Sequence, residues 1–309
     1  AIADYKKDGG KVLLYFNGKL IDRESEFYKS GQGKEICYRD NTGAELFEQY
    51  RFTGQGTFLA DYNARTFVVA DTRAPIWRKM LLDWADRARE YGANSVFYDQ
   101  LGYGERATNW DLSREFPVPN MHVIADKAEV LKMVRDRNVS FDPEFALGTE
   151  WLTDVTAQYC DYIHIYQTTA GKYSFIDWFR YTFPEIIISD REIRDDTDIE
   201  RRVNNTLLKG LRNDIEIYRC RDLIDKTPHY QAYLAKANAI KARYEDLLLV
   251  GTYRDTEGFT QSNPGIEARA YVNGDGMAIV ATRTQEGKAV KGAIEVPGYR
   301  FAEASTLGN

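Results

Sequence analysis

The chain is poor in the residues that announce metal or redox chemistry: 3 cysteines (Cys37, Cys160, Cys220) and 3 histidines (His122, His164, His229) among 309 residues. The cysteines are odd in number and far apart, so neither a disulfide framework nor a zinc motif can be read from them, and buried thiols are expected. No His-x-His or His-Glu-x-x-His pair offers ligand spacing, so neither a metal nor another cofactor is called for. Positive charge is not in excess either. With 41 Lys and Arg against 47 Asp and Glu, the net charge is −6, which speaks against nucleic acid as a partner, because phosphate binding needs a basic face that releases counterions. No run of 18 apolar residues is present, so membrane insertion is not expected. The first twenty residues lack the basic start and apolar centre of a secretory signal. The chain opens in what reads as the end of a helix, so a signal is expected to lie upstream.

What is present fits a globular protein. At 43% hydrophobic and 28% charged residues, the chain can bury one large core and a smaller second one. Aromatic residues make up 13%, with 21 Tyr and 5 Trp. Such rings pack in cores, and their flat faces and polar edges also suit the apolar faces and hydroxyls of sugars.

From Lys11 to about Arg221, short β-branched or aromatic runs alternate with longer amphipathic stretches, the pattern of repeated βα units on a parallel sheet. The runs are Lys11–Asn17, Phe67–Ala70, Ser95–Asp99, Phe145–Glu150, Tyr162–Tyr166, Glu185–Asp190 and Ile215–Tyr218. Helices are predicted over Ile76–Tyr91, Lys127–Arg137, Thr153–Tyr159, Asp198–Leu211 and Tyr230–Tyr244, the first opening with Pro75 and closing at Gly92. A long polar segment from about Asp22 to Asp61 reads as a functional wall over a site. About six strand–helix units can be counted, where a complete barrel has eight. The expected fold is an α/β (β/α)8 TIM-type barrel over residues 1–245 that lacks its first units, with an open doubly wound sheet as the rival. Beyond Leu247 the pattern changes. Leu247–Val250, Glu267–Val272 and Met277–Thr282 read as strands, the last two joined by the hairpin turn Asn273-Gly274-Asp275-Gly276. Residues 246–309 are therefore expected to form a small antiparallel, β-sandwich-like domain.

Barrel enzymes carry their chemistry at the carboxyl ends of the strands. Asp99, Glu150 and Asp190 each end an apolar run there. A lone strand-end acid usually caps the next helix or pairs with Arg, but three in neighbouring units point to a shared cleft. Glycosidic cleavage needs such a set: one carboxylate meets the anomeric carbon while a second, kept protonated, donates to the leaving oxygen. Trp151 offers an apolar wall beside Glu150, although neighbours along a strand point to opposite faces. Asn17, Gln100, Tyr103, Trp151, Tyr166, Gln167 and Arg191 are candidates to bond to or stack on a sugar. Asp154 and Glu192 are reserve acids. Asp195, Asp196 and Asp198 read as solvated charges that favour the dipole of the helix that follows.

If Lys11–Asn17 is numbered as the third strand and Phe67–Ala70 is left out of the wall, Asp99 falls on the fourth, Glu150 on the fifth and Asp190 on the seventh. This arrangement resembles the α-amylase clan (glycoside hydrolase family 13 and relatives) and the endo-α-N-acetylgalactosaminidases of family 101. The wording Phe-Tyr-Asp-Gln-Leu-Gly with Gly-Thr-Glu-Trp is also similar to a group of bacterial glycoside hydrolase barrels common in polysaccharide-degrading gut bacteria. The resemblance covers about residues 11–245. It departs from the amylase signature in having Phe97 where Arg stands two residues before the nucleophile, and in lacking a His-Asp pair after the seventh strand. The resemblance implies a retaining hydrolase of an α-linked oligo- or polysaccharide, with Asp99 as nucleophile, Glu150 as acid/base and Asp190 steadying the transition state. It further implies a periplasmic or extracellular location. The rival readings are an inverting glycosidase, whose carboxyls would stand further apart, a non-catalytic carbohydrate-binding barrel, and metal-dependent hydrolysis or sugar isomerisation.

Overall fold

Residues 1–48, 65–102, 108–113, 123–151, 153–165, 175–191, 195–214, 224–284 and 289–307 are described by the structure, a computed structural model. The chain divides into two units, Ala1–Ile163 and His164–Asn309. The first holds α1 (Ile2–Lys7), β1 (Leu13–Asn17), β2 (Leu20–Asp22), α2 (Glu26–Lys29), α3 (Gln32–Glu35), β3 (Phe47–Glu48), β4 (Phe67–Val69), α4 (Pro75–Glu90), β5 (Ser95–Asp99), α5 (Val123–Phe141), β6 (Ala146–Glu150) and α6 (Asp154–Ala157). The strand β7 (Tyr162–Ile165) straddles the division. In the second unit follow α7 (Ile176–Thr182), β8 (Ile187–Asp190), α8 (Ile199–Leu208), β9 (Arg212–Asn213), α9 (Pro228–Arg243), α10 (Glu245–Leu248), β10 (Thr252–Tyr253), β11 (Thr260–Gln261), β12 (Ile266–Asn273), β13 (Gly276–Arg283) and β14 (Ile294–Glu295).

The repeated βα pattern is realised as a six-stranded sheet in the order β1-β5-β6-β7-β8-β9. Its pairs β1–β5, β5–β6 and β8–β9 run parallel. Helix α4 shows why the pattern folds this way. Pro75 occupies its first turn, where a missing N–H costs nothing. Trp77, Leu81, Ala85 and Ala88, spaced at three and four, form its buried stripe. Replacing Leu81 by Ala would cost about 2–5 kcal/mol, the usual toll of emptying a closed site.

Phe67–Ala70 is not part of the parallel sheet. Here β4 pairs antiparallel with β2 and β3 in a separate three-stranded sheet, and its Val69 packs with Leu20, Tyr38 and Val123. The polar segment after Asp22 thus supplies, in its described part, strand β3 of that sheet and the helices α2 and α3.

In the second unit, α8 and α9 pack through Ile199, Val203, Tyr230, Leu234 and Ala237. The strands that follow are antiparallel: β10-β12-β13 form one sheet and β11-β14 another. The β12–β13 hairpin closes at Asn273↔Gly276, where the turn residues predict it. Leu247–Val250, expected as a strand, is instead the end of α10 and the bend after it. A four-residue apolar run has no period of its own, and Glu245 and Asp246 favour a helical first turn here. Leu248 joins Leu207, Tyr253 and Tyr271 in a small core. The expected strand Ile215–Tyr218 lies outside the described residues, and β9 is formed by Arg212–Asn213. An ionic cluster ties α7 to β12. Asp177 pairs with Arg269 at 3.2 Å and Lys209 at 3.3 Å, while Arg269 also reaches Asp255 and Glu267, each at 2.9 Å. Among the described residues no helix is long and apolar enough to cross a membrane.

Candidate active site

Alternation along β1 and β5 decides which side chains meet. On one face Phe16 stacks on Trp84 of α4, with ring centroids 5.3 Å apart. Beside it Tyr98 donates its hydroxyl hydrogen bond to the Leu81 carbonyl. The other face therefore receives Tyr15, Asn17, Phe97 and Asp99, and register sets Tyr15 beside Phe97 and Asn17 beside Asp99. The β5–β6 ladder pairs Phe97 with Gly148 and Tyr98 with Thr149. Its next position brings Glu150 level with Asp99 and on the same face.

Asp99 is held by its neighbours on β1. The Tyr15 hydroxyl donates to its Oδ2, and Asn17 Nδ2 donates to the same oxygen at 3.3 Å. Asn17 has no freedom to turn its amide round. Its Oδ1 accepts from the backbone N–H groups of Lys19 (3.0 Å) and Leu20 (2.8 Å), so its NH2 must face the carboxylate. Among the described residues, Oδ1 of Asp99 accepts nothing.

Glu150 is only 5% exposed. The chain after β5 packs directly on the end of β6, with Gly102 N–H donating to Thr149 Oγ1 at 2.8 Å and Thr149 Oγ1 donating to the Tyr98 carbonyl at 2.8 Å. A Cβ on Gly102 would lie 2.5 Å from the Glu150 carbonyl oxygen. One row below the acids runs a line of aromatic rings. Tyr15 stacks on Phe97 at 5.8 Å and Phe97 on Tyr162 at 5.9 Å. Tyr162 reaches Phe97 by crossing Gly148, where a Cβ would stand 2.2 Å from the ring.

The residue after each of these two acids has a left-handed backbone: Gln100 at φ 62° and Trp151 at φ 75°. For a residue with a Cβ this costs about 1–2 kcal/mol, and such strain gathers at functional sites. It also ends strand alternation, so Trp151 is not bound to point away from Glu150 by the strand's pleat.

In the second unit Asp190 ends β8, 1% exposed, and its carbonyl accepts from Asp214 N–H at 3.1 Å. Arg191 follows it, its N–H donating to the Ile165 carbonyl at 3.0 Å. His164 Nδ1 lies 2.7 Å from Asp214 Oδ2, a pair the sequence reading did not assemble. Tyr103, Tyr166, Gln167 and Glu192 lie outside the described residues. Asp154 is in the first turn of α6, which Thr153 caps. Asp196, expected as a solvated charge before α8, instead accepts from the N–H groups of His229 (3.0 Å) and Tyr230 (2.7 Å) and so caps α9. Tyr15 and Tyr162 escaped the sequence reading. The available signal was period two: each lies two residues before a polar side chain on a strand that reaches the site.

Three comparisons bear on this arrangement. The model of the family described as "Domain of unknown function (DUF6259)" matches residues 1–189, more than half of the chain, and the chain belongs to that family. A Monosiga brevicollis protein named "Putative glycoside hydrolase 22789" is 25% identical over 111 residues, which is 35% of this chain and 9% of that protein. The chain thus matches less than a tenth of that relative's length. Among solved structures, the noncanonic maltogenic α-amylase AmyB of Thermotoga neapolitana superposes with a TM-score of 0.56 at 11% identity, over 91% of this chain and 66% of that one. A GH31 family sulfoquinovosidase from E. rectale gives 0.54 at 13% identity, over 80% and 39%. The fold is that of TIM-barrel glycoside hydrolases: a parallel β/α sheet followed by small antiparallel sheets.

Proposed function

We propose that this member of the DUF6259 family is a glycoside hydrolase that cleaves an α-linked glycoside by double displacement, with Asp99 as nucleophile and Glu150 as acid/base. The observation that carries this reading is that β5 and β6 pair in parallel up to Tyr98–Thr149 and end on Asp99 and Glu150, the next residue of each strand. Such strands stand about 4.8 Å apart. That spacing suits the ~5–5.5 Å carboxyl separation of retaining enzymes better than the ~6.5–9.5 Å of inverting ones.

The chemistry follows from the two environments. Asp99 attacks the anomeric carbon as Glu150 protonates the departing oxygen, which leaves a glycosyl ester on Asp99 and a free alcohol. Glu150, now a carboxylate, takes a proton from water as that water attacks the anomeric carbon, and Asp99 leaves as a carboxylate. Glu150 is the more buried of the two, which keeps bulk water from the atoms it serves. Asp190 is the third acid of this reading, and Asn17, Gln100, Tyr103, Trp151, Tyr166, Gln167 and Arg191 are its sugar contacts. The α-linkage is supported by the clan resemblance and by the amylase name of a structural neighbour. The same reading assigns the enzyme to the periplasm or the outside of the cell.

The test uses a panel of nitrophenyl α-glycosides, with product anomers followed by proton NMR. The α-anomer should form first, and Asp99→Asn and Glu150→Gln should each lose at least a thousand-fold in kcat while keeping the wild-type unfolding midpoint. Full activity in either variant would remove the assignment, and a β-anomer as first product would make the enzyme inverting.

A further inference from the structure

A carboxylate free to turn about its last torsion offers either oxygen to an electrophile, since that torsion is broad and two-fold. Asp99 is not free in this way. Two donors from β1 meet one of its oxygens, Oδ2: the Tyr15 hydroxyl and the Asn17 amide. Both donors are themselves held. The Asn17 amide is oriented by two backbone N–H groups, and the Tyr15 ring lies against Phe97 with an interplanar angle of 20°. We propose that Tyr15 is a positioning residue that locks Oδ2 of Asp99, reserves Oδ1 for the bond to the anomeric carbon, and favours Asp99 as the departing carboxylate in the second step. The inference rests on the hydrolase reading above.

The charge balance gives the direction of the effect. In the first step Oδ1 gives an electron pair to the anomeric carbon, the glycosidic C–O bond breaks, and Oδ2 turns from half of an anion into an ester carbonyl. A hydrogen bond to Oδ2 is stronger to the anion than to the ester. It therefore opposes ester formation while holding Oδ1 in line, and the two influences offset each other. In the second step water attacks the anomeric carbon, Glu150 takes its proton, the Oδ1–carbon bond breaks, and negative charge returns to the carboxylate. Here the Tyr15 bond grows in the transition state, so its loss falls on hydrolysis of the glycosyl-enzyme.

Tyr15→Phe removes one hydroxyl, keeps the ring stack, and should retain the wild-type unfolding midpoint. The probe is a 2,4-dinitrophenyl α-glycoside of whichever sugar among glucose, galactose and N-acetylgalactosamine the wild type turns over. Tyr15→Phe should lower kcat ten- to a hundred-fold and KM with it, with kcat/KM changed less than about five-fold. A burst of dinitrophenol and a glycosyl adduct on Asp99 by intact mass and peptide mapping should accompany the change. Unchanged kcat, or kcat and kcat/KM falling equally with no adduct, would overturn the positioning role and leave the hydrolase reading in place. A wild type that hydrolyses none of the three sugars and takes no label from the matching 5-fluoroglycosyl fluorides would overturn both.

Discussion

Replacing Gly148 by alanine should disturb the site through one ring. The backbone at Gly148 is outside the left-handed region, so alanine meets no conformational objection there. Its Cβ, however, would stand 2.2 Å from Cζ and 2.3 Å from Cε1 of Tyr162, and the ring must swing away from Phe97. Loss of the aromatic pair costs about 0.5–1.5 kcal/mol, and residual crowding about 1–3 kcal/mol. Against this, a strand gains about 0.5–1 kcal/mol when glycine becomes alanine. With the ring's far end able to yield, a net loss of about 1–2 kcal/mol is expected, or roughly 2–8 °C in a domain of this size. Calorimetric melts of Gly148→Ala, Tyr162→Ala and the double variant measure it, because the cost should vanish once the ring is gone. Gly148→Ala melting at or above the wild-type temperature, or costing the same without Tyr162, would refute the reasoning.

Gln100→Asn keeps an amide and puts at φ 62° a residue that tolerates that geometry. It should leave stability unchanged or raised by up to about 1 kcal/mol while lowering hydrolysis at least ten-fold, and undiminished turnover would show that Gln100 only makes the turn. Burial pushes the Asp177 carboxyl up, but Arg269, the Tyr253 hydroxyl and Lys209 together bring it below its ordinary value. Its stabilising contribution is therefore present above the unfolded value near pH 4 and lost as pH falls through the folded one. Asp177→Asn should cost about 3 kcal/mol at neutral pH, as breaking a paired buried charge does, and urea melts at pH 7 and pH 3 should show the gap closing with acid. Burial, with the nearby Arg212 charge, pushes the Lys241 ammonium down to about 8. The unfolded chain then binds more protons between about pH 8 and 10.5, so stability contributed by this group rises with pH across that window, at up to about 1.4 kcal/mol per pH unit. Lys241→Met should flatten that rise in a series of denaturant melts, and an unchanged slope would exclude the effect.

The parallel sheet and the strand-end positions of Asp99, Glu150 and Asp190 were legible because each closes a short, largely apolar run, and sheet order then follows from chain order. Phe67–Ala70 reads as such a run too. Only its partners, β2 and β3, show that it belongs to another sheet. Tyr15 was invisible for the opposite reason: a tyrosine within a strand looks like core, and its purpose comes from Asp99, 84 positions away. Asp196 misled in the same manner, since it lies just before α8 yet serves α9, whose first turn begins some thirty residues on. The run at Leu247–Val250 carried no periodicity to separate helix from strand. The strained backbones of Gln100 and Trp151 leave no trace in residue type, because neither is a residue that prefers that geometry.

The Thr149 hydroxyl, taking one hydrogen bond and giving another, fastens the ends of β5 and β6 to each other below the points where the chain departs. The spacing of the two strand ends is thereby gauged by the sheet and by a single threonine that also receives the chain three residues beyond Asp99. Sequence changes beyond Gly102 and after Trp151 can therefore accumulate while that strand-end spacing stays as it was.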